Sequence, residues 1–410
     1  MIITPKCISG EISAIPSKSD AHRAIICALL SNKKCTIHPI ITSDDILATI
    51  EAAKSLGAVC QIEDDTLIID SSSGLKLDDV VIDCNESGST MRFMLAVAAC
   101  LGANANFIGK GRLPLRPIDD FYNLFKLHGA ELSDNHLPLE TSGRLTAGEY
   151  KIAGNVSSQF ITGLLLSLPI LDGDSKITLT TKLESKPYID MTIRTMKKFG
   201  VSVLETEDGF VVKGNQQYEC EDYIIDGDWS QAAFFLVGGA IGGNIKMNGL
   251  NLDSAQGDKE IYNIIKAFGG NITEENGYII SKCGDLSAMD IDATQIPDLV
   301  PIIAVLAANS VGTTKIYGAK RLRYKESDRI KTVINALLSF GIDVEEIDDG
   351  MIIHGNKEYC GGDIDCANDH RIAMAYAIMA TAAKTNTVLN GESCVKKSYP
   401  DFFNDFNALR

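Results

Sequence analysis

The 410-residue chain has no CxxC pair, no apolar run long enough to span a bilayer, no excess of basic residues and no Pro/Gly/Ser-rich linker. Its 11 cysteines are odd in number and scattered, mostly inside apolar runs such as those around Cys27 and Cys100. Cys360 and Cys366 are the nearest pair, flanked by His354 and His370 at spacings that match no common zinc motif. This argues against a disulfide framework and for reduced thiols in a reducing cytoplasm. The longest apolar runs, such as Leu299 to Ala308, are too short for a transmembrane helix. The segment MIITPKCISGEISAIPSK lacks the h-region of a signal peptide and the Arg/Ser bias of a transit peptide. Lys and Arg number 38 against 54 Asp and Glu, a net charge of −16, which disfavours nucleic acid and anionic membrane as partners.

What is present is a core and a repeat. Hydrophobic residues make up 45% and charged residues 22%, as in a soluble globular protein, and the length suggests two or three domains. PSKSDAHRAIICALL at Pro16 couples a short polar stretch to an apolar run of helical character. The plan recurs in NESGSTMRFMLAVAA, NVSSQFITGLLLSL, GDWSQAAFFLVGGA, QIPDLVPIIAVLAA and NDHRIAMAYAIMATAA. Taking Lys18, Gly88, Ser158, Ser230, Asp298 and Asp369 as anchors, the steps are 70, 70, 72, 68 and 71 residues. A fixed period along a whole chain signals repeat architecture. Ser, Thr, Asp and Asn cap helix starts, whose first N–H groups carry partial positive charge and attract anions. Each start is therefore either an ordinary cap on a buried helix or part of a site for a polyanionic ligand.

Between these starts the order is repeat helix, strand, amphipathic helix, hairpin, a β/α unit with mixed strands. Strands with a turn at Ser9–Gly10 are expected over residues 2–15, amphipathic helices at 44–56, 118–128, 187–199, 258–268 and 325–340, and a hairpin at 59–69. Three units fall on each side of Asp226, so one domain is expected at 16–225 and the other at 226–410. The strands of residues 1–15 complete the second, which leaves the first as an insertion.

Several loops carry more cation than packing needs: Lys18 and Arg23, Arg112 and Arg116, Lys325 and Arg329 in RYKESDR, Arg371, and Lys396 with Lys397. Arg offers a planar fork for carboxylate or phosphate and Lys a point charge. In an acidic protein such local cations suit ligands that are phosphorylated carboxylic acids. Asp298, after Pro297 at a repeat helix start, is either an N-cap or a general base; Glu326 is either a proton donor or a helix-face charge.

The motifs PSKSDAHRA, SGSTMR, RPI, SSQ, SKPY, IPD, KESDR, NDHR and KKSYPD occur in the order and near the spacing of the 5-enolpyruvylshikimate-3-phosphate (EPSP) synthase family, and the chain resembles it over essentially its whole length. The resemblance implies a two-domain inside-out α/β barrel of six βαβαββ repeats, three per domain, closing on substrates in a cleft. It implies transfer of the enolpyruvyl group of phosphoenolpyruvate to the 5-hydroxyl of shikimate 3-phosphate, by addition and then elimination of phosphate. No metal or organic cofactor and no macromolecular partner is implied, and a cytoplasmic monomer is expected. Carried over by motif, Lys18, Ser19, Arg23, Ser157, Ser158, Gln159, Ser185, Tyr188, Asp298, Arg321 and Lys325 resemble the shikimate 3-phosphate contacts. Lys18, Gly88, Arg116, Gln159, Arg329, Arg371 and Lys397 resemble the phosphoenolpyruvate contacts. Asp298 resembles the general base on the 5-hydroxyl, Glu326 the acid that protonates the methylene carbon, and Lys325 the family lysine between the two ligands; Lys18, beside both ligands, is expected to be catalytic with Asp298 and Glu326.

Two positions depart from the family pattern. Glu86 stands where many members have Asn, and Arg321 where many place an Asn near the shikimate phosphate. The resemblance also implies competition by glyphosate, with Gly88 as the small residue that sensitivity requires: a Cβ there is expected to project beside the phosphonate. Two rivals are weighed. The sister enzymes acting on UDP-N-acetylglucosamine typically carry Lys-Asn where this chain has Lys18–Ser19, and commonly a Cys in the loop between Gly109 and Pro117, which here has none. A non-catalytic anion-binding repeat protein would have no use for both Asp298 and Glu326.

Overall fold

The computed structural model describes residues 1–410. They form two compact units, one of residues 1–17 with 226–410 and one of residues 18–225. Each has its own apolar core.

In the unit of residues 18–225, three helices are buried along nearly their whole length: Lys18–Leu30, Gly88–Leu101 and Ser158–Ser167. A helix apolar all round must be covered on every side. The cover comes from three four-stranded sheets and from the amphipathic helices Asp44–Ser55, Asp119–Leu127 and Lys186–Lys198. One sheet shows the common pattern: Glu149–Ile152 runs parallel to Ser175–Leu179, which pairs antiparallel with Gly209–Val212, itself in a hairpin with Val203–Thr206. Helix Gly88–Leu101 packs directly on Ser158–Ser167. The contact is close because residue 163 is glycine: a Cβ there would lie 2.8 Å from the Arg92 carbonyl.

In the other unit the buried helices are Trp229–Gly242, Val300–Ala308 and His370–Thr381. Trp229, Phe234 and Phe235 are fully buried there, each worth on the order of 2–3 kcal/mol of apolar burial. Strand Ser9–Ser13 runs parallel to Asn244–Asn248, and Ile2–Ile3 pairs with Thr387–Val388. The turn expected at Ser9–Gly10 is therefore absent. Both residues lie inside a strand, because ladder pairing with a distant segment outweighs the local turn preference of Ser-Gly.

Two helices also start later than their periodicity suggests. The one expected from Lys325 runs Arg329–Ser339, capped by the Asp328 carboxylate, which accepts from the Lys331 N–H at 3.3 Å. Residues 320–324 form a separate 3-10 turn, and Lys325 and Glu326 sit on the connection. Likewise the segment expected as helix from Asp258 opens as a 3-10 turn, Gly257–Glu260, before helix Ile261–Ala267.

Candidate active site

Four of the six repeat starts are side-chain caps. Ser87 accepts from the Thr90 N–H, Ser157 from Gln159, Asp228 from Gln231 and Asp369 from Arg371. At the first, the helix begins at Lys18, so Ser19 and Asp20 lie within the first turn rather than before it. Asp298 is not a cap. It lies inside a 3-10 turn, Pro297–Leu299, that leads into the helix, and its carboxylate is turned to cations.

In the unit of residues 18–225, Arg23 organises the start of the first helix. It is buried, and its guanidinium donates to Thr192 Oγ1 at 2.8 Å and to the carbonyls of Ser19 and Tyr188 at 2.5 and 3.1 Å. Burial pulls its pKa down to about 10 despite the Asp20 carboxylate nearby. Ser19, Arg23 and Tyr188 are thus brought together. Lys18 Nζ lies 2.6 Å from Asp45 Oδ2. A buried chain of hydroxyls then links this start to the next: His22 Nδ1 to Thr49 Oγ1 at 2.7 Å, Thr49 to Thr90 at 2.7 Å and Thr90 to Ser87 Oγ at 2.7 Å. Burial, then Lys18 and Arg23, hold the His22 pKa well below the ordinary imidazole value, so the ring works as a neutral link.

Gln159 meets the Gly88 helix through both ends of its amide, accepting from Arg92 at 2.7 Å and donating to Ser89 Oγ at 2.9 Å. Ser158 is buried beside it. Gly88 lies under Arg116: a Cβ at residue 88 would stand 2.5 Å from the guanidinium NH1. The first atoms such a Cβ meets are those of Arg116, one of the residues carried over as a phosphoenolpyruvate contact. Ser185 is buried in the left-handed region at φ 55° and makes no side-chain cap for helix Lys186–Lys198. Non-glycine residues hold this conformation only where surrounding structure imposes it, which occurs often at ligand sites.

The second group lies in the unit of residues 1–17 and 226–410. Asp298 Oδ1 is 2.9 Å from Arg329 NH1 and 3.4 Å from Lys325 Nζ, and Oδ2 is 3.4 Å from Arg371 NH2. Arg329, 1% exposed, also meets Glu326 at 2.5 Å and Asp369 at 2.8 Å. Burial works against its charge, but Asp369, Glu326 and Asp298 outweigh it and raise its pKa. Arg371 donates further to Ser230 Oγ at 2.8 Å and to the Asp298 carbonyl at 3.1 Å. Lys397 is buried against the Asn368 carbonyl at 2.7 Å. Arg321 is held on the Thr294 carbonyl at 2.7 Å.

Asp298, Lys325, Glu326, Arg329 and Arg371 are therefore in direct contact as a charged cluster. Sequence reasoning missed several of its supports: the anchoring of Arg329 by the cap Asp369, Ser327, which donates to Asp369 at 3.0 Å, and Ser230 under Arg371; for the group in residues 18–225 it missed Asp45, Arg92 and Thr192. The repeat starts were a usable signal for Asp369 and Ser230, which are two of the anchors.

Each group by itself suits anionic oxygens: the one in residues 18–225 offers Arg23, Lys18 and serine hydroxyls, and the other offers forked arginines and a lysine around two carboxylates. All 11 cysteines are free thiols, and no helix is long and apolar enough to cross a membrane. The sequence model of the family described as EPSP synthase (3-phosphoshikimate 1-carboxyvinyltransferase) matches residues 2–406. A 3-phosphoshikimate 1-carboxyvinyltransferase of Clostridium novyi (strain NT) is 47% identical over 421 residues, covering 99% of this chain and 96% of the relative. One of Clostridium perfringens (strain ATCC 13124) is 45% identical, covering 100% of this chain and 98% of the relative. An EPSP synthase structure from Acinetobacter baumannii superposes with a TM-score of 0.83 at 24% identity, covering 99% of this chain and 97% of that one, a likeness of fold.

Proposed function

The chain belongs to the EPSP synthase family, and we propose that it transfers the enolpyruvyl group of phosphoenolpyruvate to the 5-hydroxyl of shikimate 3-phosphate, releasing phosphate, in the shikimate pathway to chorismate and the aromatic amino acids. The observation that carries the chemistry is the placement of Asp298 and Glu326 on one arginine, Arg329. Asp298 takes the hydroxyl proton as the oxygen attacks C2 of phosphoenolpyruvate. Lys325, Arg329 and Arg371 keep Asp298 ionised for that role. Glu326 protonates the methylene carbon, which gives a tetrahedral adduct. Glu326, left as a carboxylate, then takes a proton back from the new methyl group as the C–O bond to phosphate breaks, which restores the double bond.

The two carboxylates need opposite protonation states. The ion pair with Arg329 stabilises Glu326 as a carboxylate, so Glu326 delivers a proton only once Arg329 turns to another anion. Phosphoenolpyruvate is that anion on this reading, held by Arg329, Arg371 and Lys397 together with Lys18, Gly88, Gln159 and Arg116. Ser19, Arg23, Ser157, Ser158, Gln159, Ser185, Tyr188, Arg321 and Lys325 hold shikimate 3-phosphate, with Lys18 serving both. Arg321 replaces an amide by a cation toward its phosphate.

On the same reading the fold is a two-domain inside-out α/β barrel with three βαβαββ repeats in residues 16–225 and three in residues 1–15 and 226–410, working as a cytoplasmic monomer. Phosphate release from phosphoenolpyruvate and shikimate 3-phosphate tests the proposal. No release with shikimate 3-phosphate, or release with UDP-N-acetylglucosamine in its place, would overturn it.

A further inference from the structure

Arg23 spends two of its nitrogens on successive turns of one helix. Nε donates to Thr192 Oγ1 at 2.8 Å and NH2 to the Tyr188 carbonyl at 3.1 Å. Both acceptors lie on helix Lys186–Lys198, about one turn apart. Thr192 Oγ1 itself donates to the Tyr188 carbonyl at 2.8 Å, which closes a ring of Arg23, Thr192 and that carbonyl. A hydroxyl has one proton and two lone pairs. Here the proton goes to Tyr188 and one lone pair to Arg23. Thr162 Oγ1, 3.1 Å away on helix Ser158–Ser167, is therefore the donor to the other. Thr162 and Thr192 are fully buried, and every hydrogen-bonding position of the Thr192 hydroxyl is filled.

We propose that Thr192 is a positioning residue for recognition of shikimate 3-phosphate: its hydroxyl fixes the plane of the Arg23 guanidinium, so that the fork meets an anionic oxygen of the substrate already oriented. The inference rests on Arg23 being a contact of that substrate.

An arginine has five N–H groups. Thr192, the Tyr188 carbonyl and the Ser19 carbonyl, which takes NH1, engage three of them. That leaves one N–H on each terminal nitrogen, the pair that a phosphate or carboxylate takes as a fork. The Phe93 ring lies with its centroid 5.4 Å from Arg23 Cζ and attracts the cation through its face. None of these four partners is charged, so none competes with an incoming anion. The Nε bond to Thr192 is the one that acts closest to the stem of the side chain, and it holds the guanidinium against rotation about Cδ–Nε. Valine at residue 192 would keep the shape of threonine and lose this bond together with the tie to Tyr188.

Positioning and packing separate experimentally. The Kd for shikimate 3-phosphate by calorimetry, kcat and KM for both substrates, and the denaturation midpoint are compared for wild type, Thr192→Val, Thr192→Ala, Thr192→Ser and Thr162→Val. Thr192→Val is expected to raise the Kd about tenfold or more, as loss of a hydrogen bond to a charged group does. Its kcat at saturating substrate and its KM for phosphoenolpyruvate stay within about twofold. Thr192→Ala is read in the same way. Thr192→Ser returns the hydroxyl and keeps the Kd within about twofold of wild type. Thr162→Val lowers the denaturation midpoint but leaves Arg23 on Thr192, so its Kd also stays within about twofold. A wild-type Kd in Thr192→Val and Thr192→Ala, or a Kd in Thr162→Val that rises as far as theirs, would overturn the inference. Arg23→Lys, which has no Nε–H to place, is run alone and combined with Thr192→Val. A double variant no weaker in binding than Arg23→Lys supports action through Arg23, and fully additive losses overturn it. If Arg23→Lys binds shikimate 3-phosphate like wild type, the reading of Arg23 as a contact fails. If it binds weakly while Thr192→Val and Thr192→Ala bind like wild type, only the role of Thr192 fails.

Discussion

The two units solve the same problem, holding charge at buried helix starts, in opposite ways. In residues 18–225 Lys18 pairs with a single carboxylate, Asp45, while Arg23 donates to neutral dipoles. Arg23 is satisfied by one hydroxyl and two backbone carbonyls, Gln159 by Arg92 and Ser89, and the candidate ligand groups are serines, an amide and a tyrosine. In the other unit, Asp298, Glu326 and Asp369 alternate with Lys325, Arg329 and Arg371. A cation on dipoles keeps its charge available to an incoming anion. A cation shared among carboxylates has its charge already used, and every member depends on the others. The first arrangement suits recognition; the second suits proton transfer, because moving one partner changes the protonation preference of the next.

The comparison breaks most readily at Asp298. Asp298→Ala is expected to lower kcat by about 10²–10⁴, the span of a general base, while shikimate 3-phosphate binding measured by calorimetry stays close to wild type. Lys18→Met, in the recognition unit, is expected to raise KM for both substrates more than it lowers kcat. Equal kcat losses in the two variants would erase the distinction between the units.

Arg329→Met tests the interdependence. It leaves Asp369, fully buried, without its main counter-charge, and breaking a buried pair costs about 3–5 kcal/mol. Chemical denaturation reads the loss. Removal of an exposed partner in the other unit, as in Lys176→Ala beside Asp208, is expected to leave the denaturation midpoint close to wild type, because solvent screens the pair.

The pH dependence of stability sharpens the contrast further. Below pH 3.8 the Asp258 carboxyl is protonated in both folded and unfolded chains and carries no penalty. As pH rises toward about 6 the unfolded chain ionises freely while burial makes the folded one resist, so the folded state binds more protons and stability falls. Denaturation midpoints for wild type and Asp258→Asn between pH 4 and 7 measure it: the variant should lack this decline, and parallel curves would refute it.

The smallest effect expected is at Gly88. Gly88→Ala pushes the Arg116 guanidinium aside, so KM for phosphoenolpyruvate and the inhibition constant for glyphosate both rise, glyphosate by the larger factor. Inhibition curves at several phosphoenolpyruvate concentrations decide this, and unchanged constants for both ligands would show that Arg116 accommodates the methyl group.

Much of this was legible in one dimension. Apolar runs recurring about every 70 residues located all six buried helices, since a helix covered on all sides must be apolar on all sides. The cap residues marked four of their starts, since orphan N–H groups need an acceptor wherever the chain folds. The order of motifs identified the family. The partners of those charges were not legible. Whether Asp298 caps its helix or faces three cations depends on Lys325, Arg329 and Arg371 arriving from elsewhere in the chain. Apolar periodicity and cap residues act over a few neighbours, so the sequence alone located the buried helices, though not where the helices at Arg329 and Ile261 begin. Ion pairing, burial of charge and the resulting proton affinities are decided by distance in space, and these only the tertiary structure could settle.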